Sequence, residues 1–262
     1  MTRRIKRTKD LEVTLVINND DFIKPPQQAQ RNVLLNKALH EFMLDLGALD
    51  KLAEKFVPGH IQHDMSDRTQ TDLSDEEIME DWQIPVMQSM ATLVGESKGH
   101  ILEIGFGRGV ASDMIQAEEV AAHTIIECND SVIRRYEQWK EGYPGRDIRI
   151  VHGLWQDTIG DLGQFDGIFF HTYPLNEDEY MEYVSGSVTF AQHFFSTAAQ
   201  HLHKGGVFTY LTNEIDSLSR AHQRALFEHF SSFSLQIIPL KMPQDVKDTW
   251  WADKMAVVKA VK

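Results

Sequence analysis

The segment Leu102-Glu103-Ile104-Gly105-Phe106-Gly107-Arg108-Gly109 joins a short apolar run to a helix-forming stretch at 111–120. Glycines at a strand-to-helix turn let the backbone bend tightly and let a ligand approach main-chain amides. Glu127 stands twenty residues past Gly107, at the end of the next apolar run. A carboxylate there can accept two hydrogen bonds from a ribose diol. Glycine loop and carboxylate together predict an adenosine-containing ligand. The spacing is G-x-G-x-G, and Val110 occupies the place where a dinucleotide-binding turn needs a third small residue. Glu103, two residues before the first glycine, would repel a pyrophosphate but suits a cationic amino-acid group. The chemistry therefore predicts S-adenosylmethionine, a sulfonium that also carries an ammonium, over NAD.

Elements that position these residues follow from periodicity. Apolar runs at 100–104, 123–127, 148–152, 165–170, 207–212, 234–239 and 255–261 alternate mostly with helical stretches. That pattern predicts an α/β fold, a Rossmann-like seven-stranded doubly wound sheet whose last strands form an antiparallel pair. Upstream, 11–17 reads as a strand, and Leu34, Ala38, Phe42, Leu46, Leu49, Ala53 and Phe56 mark a helical apolar stripe weakened at Gly47. The expected division is an extension at 1–60, serving as lid, homodimer surface or simple packing, a helical segment on the substrate side at 61–98, and a cofactor-binding domain at 99–262. Residues 60–75 read as a loop, with Ser74 and Glu77 forming a capping box at its end. His201 and His203 are expected to close a helix, where a cation offsets the dipole. Trp250 and Trp251 either wall a pocket or pack.

Composition narrows the partners. The 262 residues carry 26 basic and 39 acidic side chains, a formal charge of −13, which disfavours nucleic acid and anionic membranes as partners. The basic N-terminal stretch from Arg3 to Lys9 reads as a solvated arm, with no signal region after it. One cysteine, Cys128, excludes intrachain disulfides and cysteine-rich zinc modules, and fits a reducing cytoplasm, the expected location. His60 and His63 lack a matched third ligand, so no metal is expected.

Several further stretches carry a resemblance. Ile78-Met79-Glu80-Asp81-Trp82-Gln83-Ile84-Pro85, the glycine loop, Glu127-Cys128-Asn129-Asp130, Gly153-Leu154-Trp155, Thr172-Tyr173-Pro174-Leu175 and Lys204-Gly205-Gly206 together resemble the guanidinoacetate N-methyltransferase family. The likeness spans about 75–212. It implies that Glu103, Gly105 and Gly107 hold the methionine part, Glu127 with Cys128 and Asn129 the ribose side, and Gly153 with Leu154 the adenine. On the acceptor side it implies Glu80, Trp82 and Tyr173. Where the family has an aspartate before Thr-Tyr-Pro, this chain has His171. A histidine can manage a proton, but it cannot complete a two-carboxylate guanidinium clamp. Glu214, near where the family binds a substrate carboxylate, would repel guanidinoacetate itself.

The reading is a methyltransferase that uses S-adenosylmethionine on a small nitrogen-containing molecule, with Glu80 and His171 catalytic and Glu214 favouring a cationic acceptor. An arginine-like guanidino compound or amine is the first expectation, and an indole or related heterocycle, methylated on nitrogen or carbon, the alternative. The reading from another class is a non-catalytic cofactor-binding partner protein.

Overall fold

The computed structural model describes residues 2–6, 12–16, 72–176, 179–185, 187–243, 250 and 252–262. The apolar stripe at 34–56, His60, His63 and Trp251 lie outside the described residues, and with them the expected dimer or lid surface. The basic stretch read as a solvated arm supplies β1 (Thr2–Lys6), which pairs antiparallel with β2 (Glu12–Val16). Neither stretch contains glycine or proline, and pairing satisfies backbone groups that a lone extended arm leaves to water.

Next comes α1 (Asp75–Ile78), opened by the expected capping box: Ser74 accepts from the Glu77 amide, and the Glu77 carboxylate accepts from the Ser74 amide. Met79 is extended and ends it, so within the expected helical segment Glu80 stands at the head of a single 3-10 turn, Asp81–Gln83, with no capping bond from its side chain. The longer helix α2 (Ile84–Gly95) starts only afterwards, with Pro85 in its first turn, where the missing N–H costs nothing.

A seven-stranded sheet follows: β3 (His100–Ile104), β4 (Ala122–Glu127), β5 (Ile148–His152), β6 (Phe165–Phe170), β7 (Leu202–Tyr210), β8 (Ser232–Pro239) and β9 (Lys254–Val261). Its order is β5-β4-β3-β6-β7-β9-β8. The first five are parallel, while β9 runs antiparallel to both neighbours. Strand order reverses between β3 and β6, the place where open α/β sheets bind ligands beyond the strands' carboxyl ends. The connecting helices are α3 (Val110–Ala117), α4 (Asp130–Lys140), α5 (Trp155–Thr158), α6 (Phe195–His201) and α7 (Arg220–Phe227). α3 stops short of residue 120 because Glu119 takes a left-handed φ of 56°. His201 does end α6, but its Nδ1 lies 2.7 Å from the Gly163 carbonyl, and His203 already belongs to β7.

Two helical layers bury the sheet. On one face Ile101, Phe169 and Val257 pack against Val86, Met90 and Val94 of α2, so 72–98 shares the main core. On the other, Leu102, Ile104, Ile168, Phe170 and Phe208 meet the phenylalanines at 194, 195 and 230. Both faces of β3 are covered, hence its nearly unbroken apolar run. No described helix is long and apolar enough to cross a membrane. α2 crosses β6 at Gly167, where a Cβ would lie 2.9 Å from the Ile101 side chain and 3.0 Å from the Val94 carbonyl. Gly167→Ala is therefore expected to cost about 1–3 kcal/mol in urea unfolding. An unchanged midpoint would mean that α2 is free to shift.

Candidate active site

The ends of β3, β4 and β6 converge. Gly105 holds a φ of 88°, and a Cβ there would stand 2.8 Å from the His171 carbonyl, so only glycine lets the loops after β3 and β6 touch. Gly107 (φ 55°) faces Ile78, which a Cβ would meet at 2.9 Å. Glu127 ties this loop to β4. One carboxylate oxygen accepts from the amides of Phe106 (2.9 Å) and Gly107 (3.4 Å), the other from those of Cys128 (2.8 Å) and Asn129 (2.9 Å). Asn129 in turn caps α4, accepting from the amides of Ser131 and Val132. Burial and the Glu127 charge push the Cys128 thiol up to about 12, so it is not a nucleophile.

Two adjoining open-mouthed hollows flank this junction. Both touch Gly105, Glu127, Cys128, Thr172, Tyr173 and Leu175. One, of about 400 Å³, extends over Gly153, Leu154 and Trp155 to Glu179 and His193. The other, of about 660 Å³, extends over Gly107 and His171 to the apolar side chains of Leu73, Ile78, Met79 and Met87. Part of its wall is the segment 72–83, strapped down by Arg108 to Asp81 (2.7 Å), Arg134 to Asp72 (2.7 Å) and Arg135 to Asp75. Arg135 also lowers the pKa of Asp75, chiefly through their hydrogen bond.

His171 lines the larger hollow. Its Nε2 is enclosed and has no hydrogen-bond partner, and burial pulls the imidazole down to about 4. It is thus neutral across the physiological range. Beside it stands the Tyr173 ring, 5.8 Å away, whose hydroxyl accepts from the Gln83 side chain at 2.7 Å. Gln83 is almost wholly buried, and the sequence reading passed over it. Its signal was its position three residues after Glu80, on the same turn.

The other expected residues are engaged elsewhere. Trp82 donates its indole N–H to Glu80 (3.1 Å) and stacks on Trp250, with centroids 6.4 Å apart, and neither Trp82 nor Glu80 lines the two hollows. Glu103 is fully buried and turns to the α3 side. It accepts from Ser112 Oγ at 2.5 Å and lies 3.0 Å from His123 Nε2, at ion-pair distance though not aligned as a hydrogen bond. The Glu103–Ser112 bond closes the base of the glycine loop. Glu214 is also buried. It accepts from the Ser219 amide and lies 3.2 Å from His222, which reaches the Tyr210 hydroxyl at 2.6 Å. Neither Glu103 nor Glu214 lines a hollow. Among the described residues no group of three or more His, Cys, Asp or Glu is placed to hold a metal.

With this geometry in view, the comparisons with known proteins are informative. The family model for guanidinoacetate N-methyltransferase matches residues 51–229. The chain belongs to that family. Its fold is that of the Rossmann-like class I methyltransferases: an N-methyltransferase, NodS of Bradyrhizobium japonicum, solved with S-adenosylhomocysteine, superposes with a TM-score of 0.51 at 13% identity, covering 75% of this chain and 95% of that one. Curated relatives are named protein arginine N-methyltransferase 2. That of Yarrowia lipolytica is 26% identical over 68% of this chain, and that of Saccharomyces cerevisiae 33% identical over 37%. The chain spans only 39% and 26% of their respective lengths. Family and fold are both those of methyltransferases that use S-adenosylmethionine.

Two expectations follow. Removing the carboxylate that organises the junction, Glu127→Ala, should weaken S-adenosylhomocysteine binding about 10- to 100-fold in calorimetry, the range for hydrogen bonds to a charged group. Unchanged affinity would detach Glu127 from the cofactor. The depressed pKa of His171 makes a second. Between pH 6.5 and about 4 the unfolded chain binds a proton at this residue that the folded one does not, so its contribution to stability is full above 6.5 and is lost as pH falls toward 4. His171→Asn should flatten that part of the stability–pH curve in urea unfolding at pH 7 and pH 5, and parallel curves would show that the imidazole is not buried.

Proposed function

We propose that this enzyme methylates a small nitrogen-bearing molecule that reaches the site uncharged, an aromatic nitrogen heterocycle such as an indole. In this reading the smaller hollow takes the adenosine, with Glu127 meeting the ribose hydroxyls in place of its weakest backbone donor, Gly107. The larger takes the acceptor. The cradle fits the cofactor: Gly105 and Gly107, both with left-handed φ, border the hollows, and a Cβ on either would press on the His171 carbonyl or on Ile78 and displace the walls. S-adenosylmethionine, when bound, supplies an electrophilic methyl on sulfur and leaves as S-adenosylhomocysteine.

The observation that carries the acceptor class is the enclosed, partnerless Nε2 of a neutral His171 in a largely apolar wall. Tyr173 beside it and the Gln83 side chain bonded to that tyrosine are neutral too. A sulfonium nearby would further oppose protonation of His171, and an additional guanidinium would face the same desolvation with no carboxylate free to neutralise it. An acceptor N–H, by contrast, can donate to Nε2. That bond orients the ring, enriches it in electrons and gives its proton a route away once the methyl has arrived on nitrogen or carbon. Glu103 then serves as a positioning residue at the base of the loop, not as a methionine ligand.

A second reading is an arginine-like guanidino acceptor. It is favoured by the family, by relatives named arginine N-methyltransferases and by the Glu80 carboxylate, next in the chain to Met79 of the wall. Incubation with methyl-labelled S-adenosylmethionine and separate pools of indoles and guanidines, followed by mass spectrometry, discriminates between them. The proposal expects label in the indole pool, and expects His171→Asp to move turnover toward guanidines. Label confined to guanidines in the wild type would overturn it, and label in neither pool despite cofactor binding would favour a non-catalytic role.

A further inference from the structure

The smaller hollow holds two hydrogen-bond acceptors that no motif announces. Glu179 follows β6 in the loop after Tyr173-Pro174-Leu175. Its backbone amide donates to Asn176 Oδ1 (2.9 Å) and its Oε2 accepts from the Leu175 amide (2.8 Å), which fixes the carboxylate at the wall. His193 comes from the 3-10 turn Phe190–Phe194. Its Nδ1 lies 2.5 Å from the Phe190 carbonyl, an atom that can only accept, so Nδ1 carries the hydrogen and Nε2 presents a lone pair. Stacking on Tyr183 at 4.3 Å and contact with Phe190 at 4.8 Å hold the ring in place. Glu179 and His193 line the same hollow as Glu127 and Cys128 of the ribose junction.

An aromatic-walled hollow with a carboxylate and an imidazole lone pair asks for a flat ligand that carries N–H donors. The exocyclic amine of adenine has two. A 6-oxopurine places a carbonyl oxygen at the same position, where it would face the carboxylate unpaired, and a buried mismatch of that kind costs more than a missing bond. Of the other polar side chains at the wall, Thr172, Tyr173 and Gln156 can donate or accept and impose no such choice, while Glu127 is taken up by backbone amides. We propose that Glu179, assisted by His193, reads the exocyclic amine of the cofactor's base and makes the site select adenine over 6-oxopurines. The proposal rests on the reading of this hollow as the adenosine side.

Calorimetric titration with S-adenosylhomocysteine and its deaminated analogue, S-inosylhomocysteine, tests it on binding alone. The wild type is expected to prefer the adenosine form by about tenfold or more, one hydrogen bond to a charged group plus the repelled carbonyl. Glu179→Gln keeps the shape but can turn an N–H toward a 6-oxo group, so the preference should shrink to about threefold or less, largely because the inosine form binds better. Glu179→Ala should weaken the adenosine form and also reduce the ratio. Equal binding of the two forms by the wild type, or a ratio unmoved in both variants, would overturn the proposal and leave the cofactor assignment standing. Binding of neither form by the wild type would overturn both.

Discussion

Everything in the crevice depends on one carboxylate. Glu127 accepts from four backbone amides drawn from two loops, those of Phe106 and Gly107 after β3 and of Cys128 and Asn129 after β4. Those donors fill the lone-pair positions of a carboxylate. The group therefore sets the separation of β3's loop from β4's and, through Gly105's contact with the His171 carbonyl, the position of the loop after β6 as well. A neutral side chain could not hold four amides as tightly. The weakest bond, from Gly107 at 3.4 Å, is the one a ribose hydroxyl can replace with least loss.

Around that hub the two hollows are built from different chemistry. The smaller presents acceptors, Glu179 and the Nε2 of His193, to a flat ligand. The larger presents mainly apolar side chains beside a neutral imidazole whose Nε2 is enclosed, with Glu127 and Arg108 at its glycine-loop side. Its far wall is the strap at 72–83, held by arginines on α4 and in the glycine loop. Such exposed pairs contribute little each, about 0–1 kcal/mol. The strap's placement therefore owes more to Ile78, Met79 and Trp82 in the core than to its charges.

Much of this was legible in the sequence. The strand rhythm, the glycine loop, Glu127 and His171 all stand at strand ends, and turn chemistry marks strand ends. Proximity of Glu103 to the glycines suggests contact with ligand, whereas its carboxylate bonds to Ser112. Alternation along β3 puts residue 103 on the same face as Ile101, and α3 covers that face, with Ser112 and His123 waiting as partners. Glu214 meets His222 in the next helix, and pairing across elements has no local signature. Met79 breaks the helix ahead of Glu80, which bonds to Trp82, while Gln83 bonds to Tyr173 of the acceptor wall. Glu179 and His193 reach their hollow through irregular turns, whose course periodicity cannot predict.

The account's central claim is that the methyl group travels into the hollow lined by His171. S-adenosylmethionine carrying a carbon-13 methyl, bound to the protein and observed by NMR, reads this directly. The account predicts nuclear Overhauser contacts from that methyl to the His171 ring and to Tyr173. Contacts to Leu154 or Trp155 in their place would reverse the assignment of the two hollows and contradict the account.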